Sequence, residues 1–145
     1  MGYRSDVTII MYPSENHRDK FAALKLFVDE NLPDEFEEHE VERSFDEVVS
    51  LKGGSTVFKY LMLERDSVKW YDDFEEVEIY NKLFSEWDKM FADPDDPIAK
   101  EGLRAKPIFN YEFMRIGENY DDIAYDCSSG AANILRVHRD AYVNL

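Results

Sequence analysis

The order of apolar and polar positions predicts a strand followed by a helix at the start of the chain. Residues 6–12 are rich in β-branched side chains and stop at Pro13, as expected of a mostly buried strand. A helix should follow, because Asn16 and Asp19 resemble a capping box and apolar residues recur at helical spacing up to Pro33. Those apolar residues are Phe21, Leu24, Val28 and Leu32.

The middle of the chain predicts a hairpin and then the main helix. Residues 56–63 alternate between two faces, residues 68–71 form a second extended run, and residues 64–67 favour a turn between them. Asp73 and Glu76 form a capping box that would open a helix. The apolar stripe of this helix is the strongest in the chain and comprises Ile79, Tyr80, Leu83, Phe84, Trp87, Met90 and Phe91.

Residues 34–51 are compatible with two structures. Their apolar positions fit a helical period, and several of them also fit the alternation of a strand. Because residues 44–47 form a capping-box pattern, we expect a short helix here that ends at residues 53–54, which are both glycine.

The last third of the chain predicts a loop and further strands. Residues 93–107 are polar, rich in proline at their start and without a clear period, so we expect a long exposed loop. Strands are predicted at residues 111–116 and 123–127, around a turn at 117–122. Residues 134–143 form a last extended segment.

This order of elements predicts an α+β fold in a single domain spanning residues 1–145. An antiparallel sheet with the two main helices on one face would bury the single apolar stripe of each helix. The order is close to the split βαβ, or ferredoxin-like, arrangement. A chain of this length buries roughly 70% of its unfolded surface, so one core is enough.

The net charge of the protein limits the classes of molecule that it is expected to bind. The formal net charge is −15, from 32 acidic and 17 basic residues. The acids are spread evenly along the chain, so no basic lobe exists for nucleic acid, and the field repels phosphate backbones and anionic lipid. We therefore expect a partner with a basic surface, no direct nucleic-acid binding and no membrane binding. Solubility alone would also explain the acidity.

The sequence contains no pattern that specifies a catalytic or metal centre. Cys127 is the only cysteine, which fits a reducing cytoplasm, and the three histidines are not spaced as zinc ligands. Acidic runs near residues 93–96 and 118–122 lack the spacing of a calcium loop. We expect no cofactor, no metal and no catalytic residue, and catalysis is the minority hypothesis.

Two groups of residues are candidates for binding a protein partner. The stretch from residue 29 to residue 47 carries ten carboxylates and one arginine, which would imitate a row of phosphates on a helix or simply form a solvated face. Trp70 and Tyr71 would anchor a partner if they were exposed, or else belong to the core. The acidic candidates are Glu35, Glu37, Glu38, Glu40 and Glu42.

A third candidate is a polar site formed by two segments that are distant in sequence. Arg4 and Asp6 flank the first strand and would meet the turn at residues 117–122, where they would fix the sheet edge or build a small site for an anion or a metal. The acids of that turn are Glu118, Asp121 and Asp122.

Three islands resemble a family of small tailed-bacteriophage proteins that begin with the run MGYRSDV. These islands are residues 1–7, 68–71 and 114–123. The resemblance implies an accessory protein in the cytoplasm of a bacterial host, and it transfers no catalytic residues. It favours a host-directed binder.

Three functions therefore stay open at this point. The first is a non-enzymatic inhibitor of a basic or nucleic-acid-binding host protein, acting by charge complementarity or DNA mimicry. The second is a small enzyme or a metal- or ligand-binding protein that uses the polar islands. The third is a structural component of the virion.

Overall fold

A computed structural model describes residues 2–45, 54–102, 105–119, 121–132 and 134–135. Within them the elements are β1 (Ser5–Pro13), a 3-10 helix (Glu15–Lys20), α1 (Phe21–Asn31), β2 (Glu37–Phe45), β3 (Gly54–Val68), α2 (Glu75–Met90), α3 (Pro97–Lys100), β4 (Phe109–Gly117) and β5 (Ile123–Cys127). The fold is α+β, with one five-stranded sheet and three α-helices, as the pattern predicted in outline.

The sheet is antiparallel and has the strand order β2-β3-β1-β4-β5. The first strand lies at its centre, where it pairs with β3 from Ser5 to Met11 and with β4 along its whole length. This position explains why β1 is the most apolar strand, since both of its edges and both of its faces are covered. The predicted strands at residues 6–12, 111–116 and 123–127 are confirmed.

The predicted helix within residues 34–51 is wrong over residues 37–45, which form β2. This strand pairs with β3 in one continuous register, from Glu37 opposite Met62 to Phe45 opposite Gly54. Local patterning allowed both structures, and pairing with the long strand β3 decided between them because it satisfies the backbone hydrogen bonds. Residues 46–53, where the predicted helix would end, lie outside the described residues.

The predicted hairpin turn at residues 64–67 is also wrong, because β3 continues through it to Val68. The turn-forming residues produce an irregularity in the β1–β3 register instead, between Ser5 and Val7. Ser67 there adopts a positive φ of 55°, and its N–H donates to Oδ1 of Asp6 at 2.8 Å. Residues of turn type thus bend the strand without ending it.

The capping boxes predicted for α1 and α2 both fail, although both helices exist. A 3-10 helix occupies Glu15–Lys20, so α1 begins only at Phe21. The second helix begins at Glu75, after Phe74, with no side-chain capping bond. Burial of an apolar face therefore does more for these helices than capping does. The buried residues of α2 are Val77, Tyr80, Leu83 and Trp87.

The core divides into two clusters that alternate along β1. The larger cluster contains Val7, Ile9 and Met11 together with the apolar residues of α1 and α2. The indole N–H of Trp87 donates to the carbonyl of Phe109 at 2.8 Å, which fixes α2 against β4. The smaller cluster is built from Ile10, Tyr12 and Phe58, with Tyr60, Met62, Ile134 and Leu135 packed against it.

The segment from residue 93 to residue 107 contains α3, and Asp93 at its start attaches it to the 3-10 helix, where Nε2 of His17 lies 3.2 Å from Oδ2 of Asp93. Asp96 accepts hydrogen bonds from the amides of Ile98 and Lys106, at 3.0 and 3.1 Å, and Ala92 forms a bridge with Pro107. Of the extended segment predicted at residues 134–143, Ile134 and Leu135 belong to no strand and the rest lies outside the described residues. In the part of the chain that is described, no helix combines the length and apolarity needed to cross a bilayer.

Candidate functional site

The two polar islands meet at one end of the sheet, where the start of β1 faces the β4–β5 turn. The backbone N–H of Arg4 donates to Oε1 of Glu118 at 2.7 Å, and its guanidinium donates to the carbonyl of Ser67 at 2.9 Å. The hydroxyl of Tyr71 reaches the carbonyl of Tyr3 at 3.1 Å. We call this set of contacts the island junction.

Asp122 is the centre of the island junction. Arg115 donates to both carboxylate oxygens of Asp122, at 3.2 and 3.1 Å, and the Tyr3 hydroxyl donates to the same group at 2.5 Å. Gly117 lies so close that a Cβ there would overlap the Asp122 carboxylate and the Tyr3 hydroxyl. Arg115 was missed from the sequence, where it stands as one polar residue in an apolar strand.

The island junction joins strand ends to one another through its own polar groups. Asp6 bonds to an amide of β3, Glu118 to an amide next to β1, and Asp122 to Arg115, while Asp121 is exposed. No group of three His, Cys, Asp or Glu side chains within the described residues is arranged to hold a metal ion. The geometry therefore supports a structural role most directly.

The acidic candidates lie on and before the edge strand β2. Alternation separates Glu37, which is opposite Met62, from Glu38, which is opposite Leu61. Glu38 is 41% exposed and pairs with Lys25 of α1 at 3.1 Å, whereas Glu37 is 81% exposed. Glu40 is opposite Lys59 and Glu42 opposite Val57 in the register. Carboxylates on an edge strand also discourage pairing with a second sheet.

A shallow cavity of about 270 Å³ lies beside the start of β2. We call it the acidic cleft. Three glutamates, two apolar side chains and one arginine line it: Glu35, Glu37, Glu64, Met62, Leu63 and Arg65. Glu35 and Glu37 were candidates from the sequence, and Glu64 was assigned to a turn, so its place beside them was not foreseen.

Arg65, the cation that lines the acidic cleft, already forms an ion pair with Asp34. Asp34, whose side chain is only 8% exposed, bonds to Arg65, and the Tyr80 hydroxyl donates to Asp34 at 2.9 Å. Burial raises the pKa of Glu76, the charge of Asp34 and a hydrogen bond with it add to the rise, and Arg65 opposes it. These contacts attach the cleft to the start of α2.

Trp70 and Tyr71 belong to the packed part of the molecule. Trp70 is half-buried and stacks on Tyr80 with ring centroids 5.9 Å apart, and it also contacts Phe113. Tyr71 packs edge-on against Phe74 at 5.1 Å. These contacts favour a packing role over that of an exposed binding anchor.

Sequence reasoning missed a buried carboxylate on β4. The side chain of Glu112 is 0% exposed and accepts four hydrogen bonds. Two come from the hydroxyls of Tyr12 and Tyr125, at 2.5 and 2.9 Å. Burial, followed by the bond to Glu112, raises the pKa of both tyrosines, so their hydroxyls stay protonated as donors. We call this arrangement the Glu112 site.

Comparisons with known proteins identify no relative of this chain. No protein-family model matches the chain, and neither a curated protein nor a solved structure shows detectable similarity to it. Function must therefore be inferred from the described side chains.

Proposed function

We propose that this protein is a binding protein that engages a partner with a basic surface through the acidic cleft. The observation that supports this proposal is the convergence of Glu35, Glu37 and Glu64 around one cavity with an apolar wall. Residues from two separate segments contribute to it, so its acidity is more than a local run of sequence.

The cleft suits a lysine or arginine side chain of the partner. The methylene stem of such a side chain would lie on Met62, which is directly opposite Glu37, and its cation would meet the glutamates at the rim. Among the described residues Arg65 is the one cation lining the cleft, and Asp34 pairs with it, so Arg65 opposes an incoming cation only weakly. The net charge of −15 would steer a basic partner towards this surface.

The partner we propose is a bacterial host protein that binds nucleic acid, with the protein itself acting as a phage accessory inhibitor in the host cytoplasm. In support of DNA mimicry, Glu38, Glu40 and Glu42 occupy alternate positions of β2. Alternate residues of a strand are about 6.6 Å apart. That spacing is about twice the 3.4 Å rise per nucleotide of one DNA strand.

A charge-matched comparison tests the cleft. One variant replaces its rim (Glu35→Gln, Glu37→Gln, Glu64→Gln), and a control neutralises three exposed glutamates elsewhere (Glu15→Gln, Glu86→Gln, Glu101→Gln). The probe is a fluorescent arginine-rich peptide, measured by anisotropy at several salt concentrations. We expect the rim variant to bind about tenfold more weakly than the control variant, since three exposed ion pairs contribute about 0.5 kcal/mol each.

Equal losses in the two variants would show that net charge alone attracts the peptide and would reject the cleft. Affinity that does not fall with added salt would reject the electrostatic mechanism itself. For the mimicry proposal, a host protein captured by this chain should be released by added duplex DNA. Simultaneous binding of DNA and this protein would contradict it.

A second candidate function is supported by the meeting of the two polar islands. Arg4 would hold an anion, and one or two of the carboxylates Glu118, Asp121 and Asp122 would bind a hydrated cation or act as a base, in a small-ligand site at the island junction. Thermal unfolding with magnesium, calcium or ATP would test it. A midpoint that none of these three probes shifts would reject this candidate.

We also infer that the chain has the split βαβ order, with both helices on one face of the sheet. In support, β3 lies between β1 and β2, and β1 lies between β3 and β4. Phe27 of α1 packs edge-on against Phe91, the residue after α2, with centroids 5.1 Å apart. An experimental structure with the two helices on opposite faces would contradict this arrangement.

A further inference from the structure

The Glu112 site joins the sheet to a segment near the end of the chain. The amide of Ile134 donates to Oε2 of Glu112, and the amide of Leu135 donates to Oε1, both at 2.9 Å. Tyr12 bonds to Oε2 and Tyr125 to Oε1. Each carboxylate oxygen thus accepts one hydroxyl from the sheet and one amide from the segment.

Neutral donors alone satisfy the Glu112 carboxylate among the described residues. A buried carboxylate is costly unless it accepts hydrogen bonds, and the segment supplies two of the four donors to Glu112. Two successive N–H groups aimed at one anion also form the arrangement of a backbone nest. Main-chain amides thus supply the two donors that the tyrosine hydroxyls do not.

The same segment covers the smaller core cluster. Ile134 and Leu135 pack against Ile10, Tyr12 and Phe58. The amide of Ala132 donates to the Tyr12 hydroxyl at 2.7 Å, which links the segment to Glu112 a third time through Tyr12. Ala132, Ile134 and Leu135 lie in no strand, so these contacts are made without a β-ladder.

We propose that Glu112 is the anchor of a peptide-binding site, which the chain's own Ala132, Ile134 and Leu135 occupy as a detachable strap. The ligand class is a short peptide with two successive free amides that belong to apolar residues, as those of Ile134 and Leu135 do. Because the amide bonds converge on one carboxylate and its Tyr12 partner, the strap should detach as a unit while the sheet stays paired. Detachment would expose the apolar residues Ile10, Tyr12 and Phe58.

The test separates the strap from the sheet by changing the strap alone. Ile134→Pro removes the amide that donates to Glu112, and Ile134→Val is the matched control, because it keeps that amide and most of the side chain. Hydrogen exchange of the full-length protein is measured by NMR at Ala132 and Leu135, and at the β1 and β4 amides. We expect exchange at Ala132 and Leu135 to be about tenfold faster or more in the proline variant only.

A second variant tests the anchor from the other side. Glu112→Gln keeps the shape of the side chain, but its amide nitrogen cannot accept an N–H bond. It should speed exchange at Ile134 and Leu135 and increase the fluorescence of an added apolar dye, while β1 and β4 stay protected. Unchanged exchange of the strap amides in both variants would overturn the proposal. Loss of protection in β1 and β4 to the same extent would overturn it too, because Glu112 would then hold the whole sheet.

Discussion

Glu112 lies near the middle of β4, Asp122 lies in the turn that follows β4, and the two carboxylates are stabilised in opposite ways. Glu112 is fully buried and accepts bonds from two hydroxyls and two amides. Asp122 is 31% exposed and pairs with Arg115, which is 25% exposed. The first site consists of precisely placed neutral donors, and the second of a solvent-screened ion pair reinforced by Tyr3.

This difference predicts which substitutions should lower the stability of the protein most. When a buried carboxylate is removed, no water takes its place as the acceptor for its hydrogen-bond donors. Water can, however, replace either partner of a half-exposed ion pair. The Glu112 site should therefore control stability and the position of the strap, and the island junction should contribute less and depend on salt. The predictions below test this contrast.

The largest effect should come from Glu112→Ala. This change leaves four donors without an acceptor and opens a cavity, so we expect a loss of about 3–5 kcal/mol in the free energy of unfolding. Urea unfolding followed by circular dichroism measures it. Glu118→Ala is the control, since this exposed carboxylate accepts one amide bond from Arg4, and it should cost less than about 1 kcal/mol. Similar losses in both variants would remove the distinction between the two sites.

A smaller effect is expected when Arg115 is changed to Met. The substitution keeps an unbranched side chain but removes both bonds to Asp122, which retains the Tyr3 hydroxyl. We expect a loss of about 1 kcal/mol at low salt that shrinks as salt is added, because salt weakens the pair in the wild type. Urea unfolding at two salt concentrations measures it, with Lys82→Met as an exposed control. A loss that does not change with salt would show that Arg115 acts by packing.

The sequence predicted the fold where periodicity was strong and local. The run at residues 6–12 and the stripe from Tyr80 to Trp87 each specified one element, because their apolar residues must face one core. At residues 37–45 two periods competed, and only pairing with β3, a non-local contact, decided between them. Propensity cannot represent such pairing, so the strand was predicted as a helix.

The candidate sites show the same contrast between features that local patterns predict and features that depend on non-local contacts. The meeting of Arg4 with Glu118 was anticipated because each of them flanks a strand that the apolar pattern predicted. Glu112 was not foreseen, because a glutamate in an apolar strand has the pattern of an outward-facing residue. Only the tertiary structure shows that Tyr12, Tyr125 and two amides surround it.

Glu76 extends the comparison to a third kind of carboxyl group, one that lies beside another carboxylate, that of Asp34. Burial and Asp34 raise its pKa in the folded protein above the ordinary value of about 4.3. The folded state then binds more protons than the unfolded state between those two values, so the free energy of unfolding falls as pH rises through that window. Glu76→Gln removes the titration and keeps a donor for Asp34.

We therefore expect Glu76→Gln to gain stability relative to the wild type as pH rises from about 4.3, and to keep a constant advantage once wild-type Glu76 is ionised. The gain should stay below about 1 kcal/mol, because the group is partly exposed and water screens its charge. Urea unfolding at a series of pH values measures the difference, with the exposed Glu78→Gln on the same helix as control. A relative stability that falls with pH, or one that Glu78→Gln reproduces, would show that Asp34 does not disfavour ionised Glu76.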